Sequence, residues 1–239
     1  MPPLLLILLI AWAALLFGGF VFGKPQAGRE GRMPTWTRMA SSLVLVVAGW
    51  SWAALARGSG AATFSLLIAV GMTLGFLGDL FMAKLLPVSP HVLWGIGAFG
   101  LGHVAYIAAI LGYGSTHGLD AAGPRFGAWL AWLLIGAVAW YFVVFRGHAS
   151  RPTALHWAAL PYALLLASTA GFATGLALQD PAFVPLAIGA MLFLISDLIL
   201  AAHVFAGRQF RLIDDVIWLT YGPGQMLIVY SVGAAMMTA

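Results

Sequence analysis

The sequence predicts an all-α polytopic membrane protein, and three observations predict it. Hydrophobic residues make up 62% of the 239 and charged residues 8%, with a mean hydropathy of +0.99. A soluble domain carries about 25% charged and about 45–50% apolar residues, so this chain has too little polar material to cover its own surface in water. Eight apolar runs also reach the roughly 20 residues that a helix needs to cross about 30 Å of hydrocarbon. Those runs are continuously apolar and lack the period-2 alternation of a transmembrane barrel, which leaves helices as the spanning structure. The chain has no cysteine, which excludes a disulfide scaffold.

The eight runs fall at about residues 3–22, 38–57, 61–83, 92–112, 126–145, 154–178, 183–205 and 215–236. The first lacks a basic n-region and exceeds the length of a usual signal-peptide h-region, so it reads as a helix of the mature protein. The other seven are separated by short loops that hold most of the charge, and none of these loops could form a soluble module. The expectation is one eight-helix membrane domain over residues 1–239. The formal charge of +4 does not point to nucleic acid, because the basic residues lie between apolar runs and report orientation instead. Loops after the odd-numbered helices hold Lys24, Arg29, Arg32, Arg38, Lys84, Arg146, Arg151, Arg208 and Arg211, and the other side holds Arg57 and Arg125. That bias puts the odd-numbered loops in the cytoplasm and both termini outside. The membrane expected is a bacterial inner (cell) membrane. Glycines at four-residue spacing, such as Gly71 and Gly75, read as close helix packing.

Most acidic residues (Glu30, Asp120, Asp180, Asp214, Asp215) fall in loops or at helix ends, where water solvates them. Asp79 and Asp197 do not. Each lies inside an apolar run, where an Asp costs about 2.5–3.5 kcal/mol at the helix centre. Two such costs are large against the roughly 5–15 kcal/mol net stability of a domain, so partners or a wet cavity must offset them. Helix 4 offers His103 and Tyr106, three apart on one face. Helix 8 offers Tyr221 and Gln225, four apart, around a Gly222-Pro223-Gly224 element expected to kink it and free backbone carbonyls. At about 1.5 Å per residue, Asp79 lies some 7–8 Å below the boundary marked by Lys84, Asp197 and Gln225 about 15 Å down, and His103 up to about 20 Å. A cavity opening to the cytoplasmic leaflet is the simplest arrangement. His91, His117 and His148 belong to loops, and His156 and His203 lie near helix ends. Ser196, His103 and His203 are the residues that could join an Asp around a metal, but no HExxH or comparable pair is present, and no GxSxG elbow supports a Ser–His nucleophile. No metal site and no cofactor is expected.

Two short matches suggest an internal duplication. Gly78-Asp79-Leu80-Phe81-Met82-Ala83 resembles Ser196-Asp197-Leu198-Ile199-Leu200-Ala201 at an offset of 118 residues, and Gly100-Leu101-Gly102-His103 resembles Gly222-Pro223-Gly224-Gln225 at an offset of 122. Two halves of four helices would share one orientation and be related by a pseudo-two-fold axis along the membrane normal. Asp79 and Asp197 would then face each other near that axis.

Pro34-Thr35-Trp36-Thr37-Arg38, Gly78-Asp79, Gly97-Ala98-Phe99 continuing to His103 and Tyr106, Ser196-Asp197, and the stretch from Tyr221 to Gln225 together resemble the YhhN-like lysoplasmalogenase family of eight-helix membrane proteins. The match runs from about residue 34 to 230. One departure is that the family's Lys-Pro at the start of helix 2 is Arg38-Met39 here, so Arg38 stands where the lysine would. The resemblance implies hydrolysis of the vinyl ether bond of a lysophospholipid substrate, a lysoplasmalogen, to a fatty aldehyde and a glycerophospho-ethanolamine or -choline. That chemistry protonates the β-carbon and sends water to an oxocarbenium ion, a problem that glycosidases solve with two carboxyl groups. Two carboxyl groups sharing a dry site do not both ionise easily, so one proton stays available. Asp79 and Asp197 are the expected acid and base, in either order. His103, Tyr106, Ser196, Tyr221 and Gln225 would orient water or the glycerol hydroxyl, and Arg38 and Lys84 would hold the phosphate. Buried Asp and His residues also build proton-coupled small-molecule or lipid transporters, and a metal-dependent membrane lipid hydrolase or a lipid-binding scaffold would share this composition.

Overall fold

The computed structural model describes residues 1–25, 30–147 and 153–238; Arg29, His148 and Arg151 lie outside them. The described residues are helical almost throughout: α1 (Pro3–Phe22), α2 (Thr35–Leu55), α3 (Ala62–Met82), α4 (His91–Thr116), α5 (Ala122–Trp140) continued by a π-helical turn Tyr141–Phe145, α6 (Ala154–Ala177), a 3-10 turn Pro181–Phe183, α7 (Val184–Ala206), α8 (Ile213–Tyr230) and α9 (Val232–Thr238). Among the described residues, seven helices are long and apolar enough to cross a membrane.

The expected eighth span differs. It is two helices, because α8 ends at Tyr230 and a short α9 follows Ser231. The break does not fall at Pro223, through which α8 continues. Pro223 withholds one backbone donor from α8, and close packing of α7 holds the helix there. α8 opens with Asp214 and Asp215, where negative charge suits the helix dipole.

Neighbouring helices follow the duplicated order. α1 packs on α2, α2 on α3 and α3 on α4; α5, α6, α7 and α8 pack in the same sequence, and the halves meet through α4 with α6 and α2 with α8. Interchanging the halves converts one of those cross-contacts into the other. Close backbone approaches repeat too. A Cβ on Gly102 would lie 3.0 Å from the Gly71 carbonyl oxygen, and one on Gly224 would lie 2.9 Å from that of Gly189. Gly71 and Gly189 are 118 residues apart and Gly102 and Gly224 are 122 apart, the same two offsets found in the sequence. Without a hydrophobic drive between helices in lipid, such small-residue contacts carry the packing. The α5–α6 pair uses them as well: a Cβ on Gly171 would sit 2.7 Å from Trp129 Cα and one on Gly136 2.7 Å from Ala167 Cβ.

Two ends of helices bear on the site. α3 closes with Leu85 N–H donating to Leu80 O and Lys84 N–H to Phe81 O, both at 3.0 Å. This Schellman closure puts its αL residue, usually glycine, at a lysine: Lys84 has φ 58°. Asp215, expected to be solvated, is only 2% exposed. Its carboxylate accepts from Arg32 N–H at 2.7 Å and Met33 N–H at 2.9 Å, which ties the segment before α2 to the start of α8. The loop between α1 and α2 needed an acceptor for these two N–H groups, one buried and one part-buried, and the N-terminus of α8 supplies it.

Candidate active site

α3 carries glycines at 71, 75 and 78, each seating a large side chain from another helix. A Cβ on Gly71 would meet Tyr106 Cε1 at 2.3 Å, one on Gly75 would meet Gln225 Nε2 at 2.7 Å, and one on Gly78 would meet the Phe99 ring at 2.7 Å. The glycine stripe therefore brings α4 and α8 side chains against α3, and Asp79 follows it directly.

A line of hydrogen bonds results. Tyr106 Oη donates to Gln225 Oε1 at 2.8 Å, Gln225 Nε2 donates to Tyr221 Oη at 3.2 Å, and Tyr221 Oη donates to Asp79 Oδ2 at 3.1 Å. Ser42 Oγ, from α2, also donates to Asp79 Oδ2. Every donor in this line points toward the carboxyl group. Tyr106, Gln225 and Asp79 are all buried, so each link satisfies a polar group that would be costly to strand.

Asp197 is held in the corresponding way by its own half of the molecule. Tyr162 Oη, from α6, donates to Asp197 Oδ2, and Ser196 Oγ donates to Oδ1 at 3.3 Å and to the Phe193 carbonyl oxygen at 2.7 Å. Tyr162 on α6 thus does for Asp197 what Ser42 on α2 does for Asp79, with 120 residues between the two donors.

Both carboxyl groups line one polar cavity of about 350 Å³, together with Arg38, Met39, Lys84, Phe99, Asp214, Trp218 and Tyr221. The cavity lies at the end of the bundle where the basic loops gather. The Arg38 guanidinium lies 5.5 Å from the Trp218 ring centroid, so Trp218 helps hold a cation at the cavity wall. Asp197 also lines a second, almost wholly apolar cleft of about 350 Å³ among α4, α5, α6 and α7.

A family model described as the YhhN family matches residues 33–232. The chain belongs to the YhhN family. No curated protein and no solved structure matches it.

Of the site residues expected in this YhhN chain, the structure brings Asp79, Asp197, Arg38, Lys84 and Tyr221 to one cavity, while Tyr106 and Gln225 reach it through Tyr221. Ser196 is wholly buried and acts on Asp197. His103 lines neither cavity. It is 1% exposed, its ring centroid is 4.5 Å from that of Phe193, and its Nδ1 is 2.9 Å from Thr169 Oγ1. Because that hydroxyl donates to Leu165 O, Nδ1 carries the hydrogen. His203 bonds the Arg208 carbonyl through Nδ1, and His156 caps the start of α6 with Thr153. Among the described residues no three His, Cys, Asp or Glu side chains gather as a metal site would require.

Ser42, Tyr162 and Trp218 belong to the site without having been singled out by sequence. Ser42 and Tyr162 are 120 residues apart, close to the offset of the two Asp residues, and the duplication is the signal that points to them.

Proposed function

We propose that this YhhN protein is a lysoplasmalogenase, hydrolysing the vinyl ether bond of lysoplasmalogen to a fatty aldehyde and a glycerophospho-ethanolamine or -choline. The observation that carries the proposal is that two carboxyl groups from two different helices, Asp79 buried and Asp197 half-buried, line one cavity whose wall holds Arg38 and Lys84.

The reaction needs a proton donor, a proton acceptor and a placed water, and the cavity has room for water between polar groups. One carboxyl group gives its proton to the β-carbon, and the double-bond electrons form the new C–H bond. The α-carbon and its oxygen become an oxocarbenium ion. Water adds to the α-carbon while the second carboxylate takes its proton, giving a hemiacetal. The hemiacetal hydroxyl then returns a proton to the first carboxylate as the C–O bond to glycerol breaks. The second carboxyl group protonates the departing glycerol oxygen, and both Asp residues regain their starting forms. Arg38 and Lys84 hold the phosphate, with the guanidinium positioned by Trp218. Asp214, on the same cavity wall, is the group that faces the ammonium of the head. In this reading the cavity lies on the cytoplasmic side, following the basic loops.

The test uses purified protein in detergent micelles, with aldehyde release from 1-alkenyl lysophospholipid as the readout. Wild type releases aldehyde, and Asp79→Asn and Asp197→Asn each lower kcat by about 10²–10⁴ while retaining the wild-type thermal unfolding midpoint. Uptake of lysolipid into liposomes without aldehyde would replace the hydrolase with a transporter.

A further inference from the structure

Asp197, Met82, Phe99 and Leu200 each line both the polar cavity and the apolar cleft, so the two spaces meet at the carboxyl group. The cleft is lined from α5 by Trp132, Ile135, Ala139 and Trp140, and from α7 between Met191 and Phe205. That stretch of α7 covers about 21 Å of helix axis at 1.5 Å per residue, with Asp197 near its middle.

The duplication shows why a cleft exists there. In one half α1 seats on α8: a Cβ on Gly222 would lie 2.7 Å from Leu16 Cδ2. The equivalent residue 122 positions earlier is Gly100 on α4, and the helix equivalent to α1 is α5. A Cβ on Gly100 would meet only Leu165 at 3.7 Å and Tyr162 at 3.8 Å, both from α6, with nothing from α5 within 4 Å. α5 is instead locked to α6, where Trp129 Nε1 donates to Ser168 Oγ and Trp132 Nε1 to Thr174 Oγ1, both at 3.0 Å. The seam that is shut between α1 and α8 is open between α5 and α4.

We infer that this open seam is the site of a single hydrocarbon chain of an amphiphile whose phosphate lies in the polar cavity, and that Asp197 is the acid of the reaction while Asp79 is the base. The occupant follows from continuity: an apolar cleft joined at one carboxyl group to a cavity holding two cations fits one tail and one anionic head. The roles follow from the direction of the substrate and rest on the hydrolase reading. The β-carbon of a vinyl ether lies on the chain side, next to Asp197, which borders the cleft. The α-carbon that water attacks lies on the head side, toward Asp79, which lines the polar cavity alone. Asp197 therefore protonates carbon, and Asp79, with Ser42 and Tyr221 bonded to it, accepts the proton of water.

Two measurements test the two parts separately. An ester-linked lysophosphatidylcholine bearing a diazirine near the end of its acyl chain has no vinyl ether to hydrolyse and reports binding alone. On irradiation with the full chain in detergent it is expected to label 132–144 and 191–205, and Ala139→Trp, by displacing on the order of two methylenes, lowers that labelling about tenfold. Labelling spread evenly over lipid-facing α1 and α2, unaffected by Ala139→Trp, overturns the chain site. For the roles, azide needs no base to attack an oxocarbenium ion. It is expected to restore substrate consumption to Asp79→Asn and not to Asp197→Asn, and the reverse pattern overturns the assignment. If wild type consumes no vinyl ether, the hydrolase reading and the roles fall together, while the labelling pattern still decides the chain site.

Discussion

Replacing Tyr221 by Phe removes one oxygen from the middle of the line that ends at Asp79. The hydroxyl donates to Asp79 Oδ2 at 3.1 Å and accepts from Gln225 Nε2 at 3.2 Å. Both bonds are longer than the modes of about 2.7–2.8 Å for O–H···O and about 2.9–3.0 Å for N–H···O, so the lower ends of the usual ranges apply. Those are about 1.5 kcal/mol for a bond to a charged group and about 0.5 kcal/mol for a neutral one, with about 1 kcal/mol more for the stranded Gln225 N–H. The sum is a stability loss of about 3 kcal/mol. The share that orients Asp79, about 1.5 kcal/mol, corresponds to roughly tenfold in kcat/KM. Tyr106→Phe breaks the same line two links away and strands only Gln225 Oε1. It is expected to cost about 1–2 kcal/mol of stability and less than about threefold in activity. Thermal unfolding in detergent and aldehyde release read the two effects side by side. Equal activity losses for the two variants, or full activity in Tyr221→Phe, would refute the idea that the line acts on catalysis through Asp79.

The remaining predictions concern groups around that line. Lys84→Gly relaxes the αL residue that ends α3 and is expected to unfold later than Lys84→Ala by about 1 kcal/mol, while both raise KM for the phospholipid alike. Asp215→Ala strands the Arg32 and Met33 N–H groups and is expected to cost about 2–4 kcal/mol, read as a lower unfolding midpoint with KM unchanged in the surviving fraction. Gly75→Ala places a methyl 2.7 Å from Gln225 Nε2, which breaks the Gln225–Tyr221 bond that Tyr221→Phe also breaks but leaves the Tyr221–Asp79 bond, so it should cost less than about threefold in activity. Combined with that variant it should add little, because both break the same link. The chain has no cysteine, so Leu85→Cys and Gly118→Cys place single thiols at opposite ends of the bundle; in cells an impermeant maleimide should label Gly118→Cys alone if the basic end faces the cytoplasm.

Membrane composition made the helices readable, since lipid demands long uninterrupted apolar runs and charge collects at their ends. It blurred the last span, because Asp214, Asp215, Tyr221 and Gln225 lower the apolar signal of α8 and the break at Ser231 leaves no mark in hydropathy. The two Asp residues stood out because lipid makes a carboxyl group expensive. Ser42 and Tyr162 did not, since a membrane helix carries a serine or tyrosine at little cost. Asp215 was misplaced for a related reason: a residue at a helix end looks solvated until the loop that folds over it is known. His103 drew notice as a polar residue inside an apolar run, on one face with Tyr106, yet a hydroxyl on α6 satisfies Nδ1 and Phe193 covers its ring.

His103 and Gln225 are equivalent positions in the two halves, as are Gly75 and Phe193. Each α3 or α7 residue of that second pair packs against the first-pair residue of the opposite half: Gly75 against Gln225, and Phe193 against His103. The small residue leaves room for an amide that joins Tyr106 to Tyr221 and so to Asp79. The large one fills the space with a ring, and His103 is turned away to Thr169. One half therefore keeps a polar line to its carboxyl group, while the other seals that route and opens its outer seam between α4 and α5. Under the proposed function, the two divergences would serve opposite needs of a single-chain lipid, water and fixed polar groups at Asp79 and an apolar wall beside Asp197. A strictly symmetric pair of halves would give both carboxyl groups the same surroundings and could not place a hydrocarbon chain on one side of the scissile bond and water on the other.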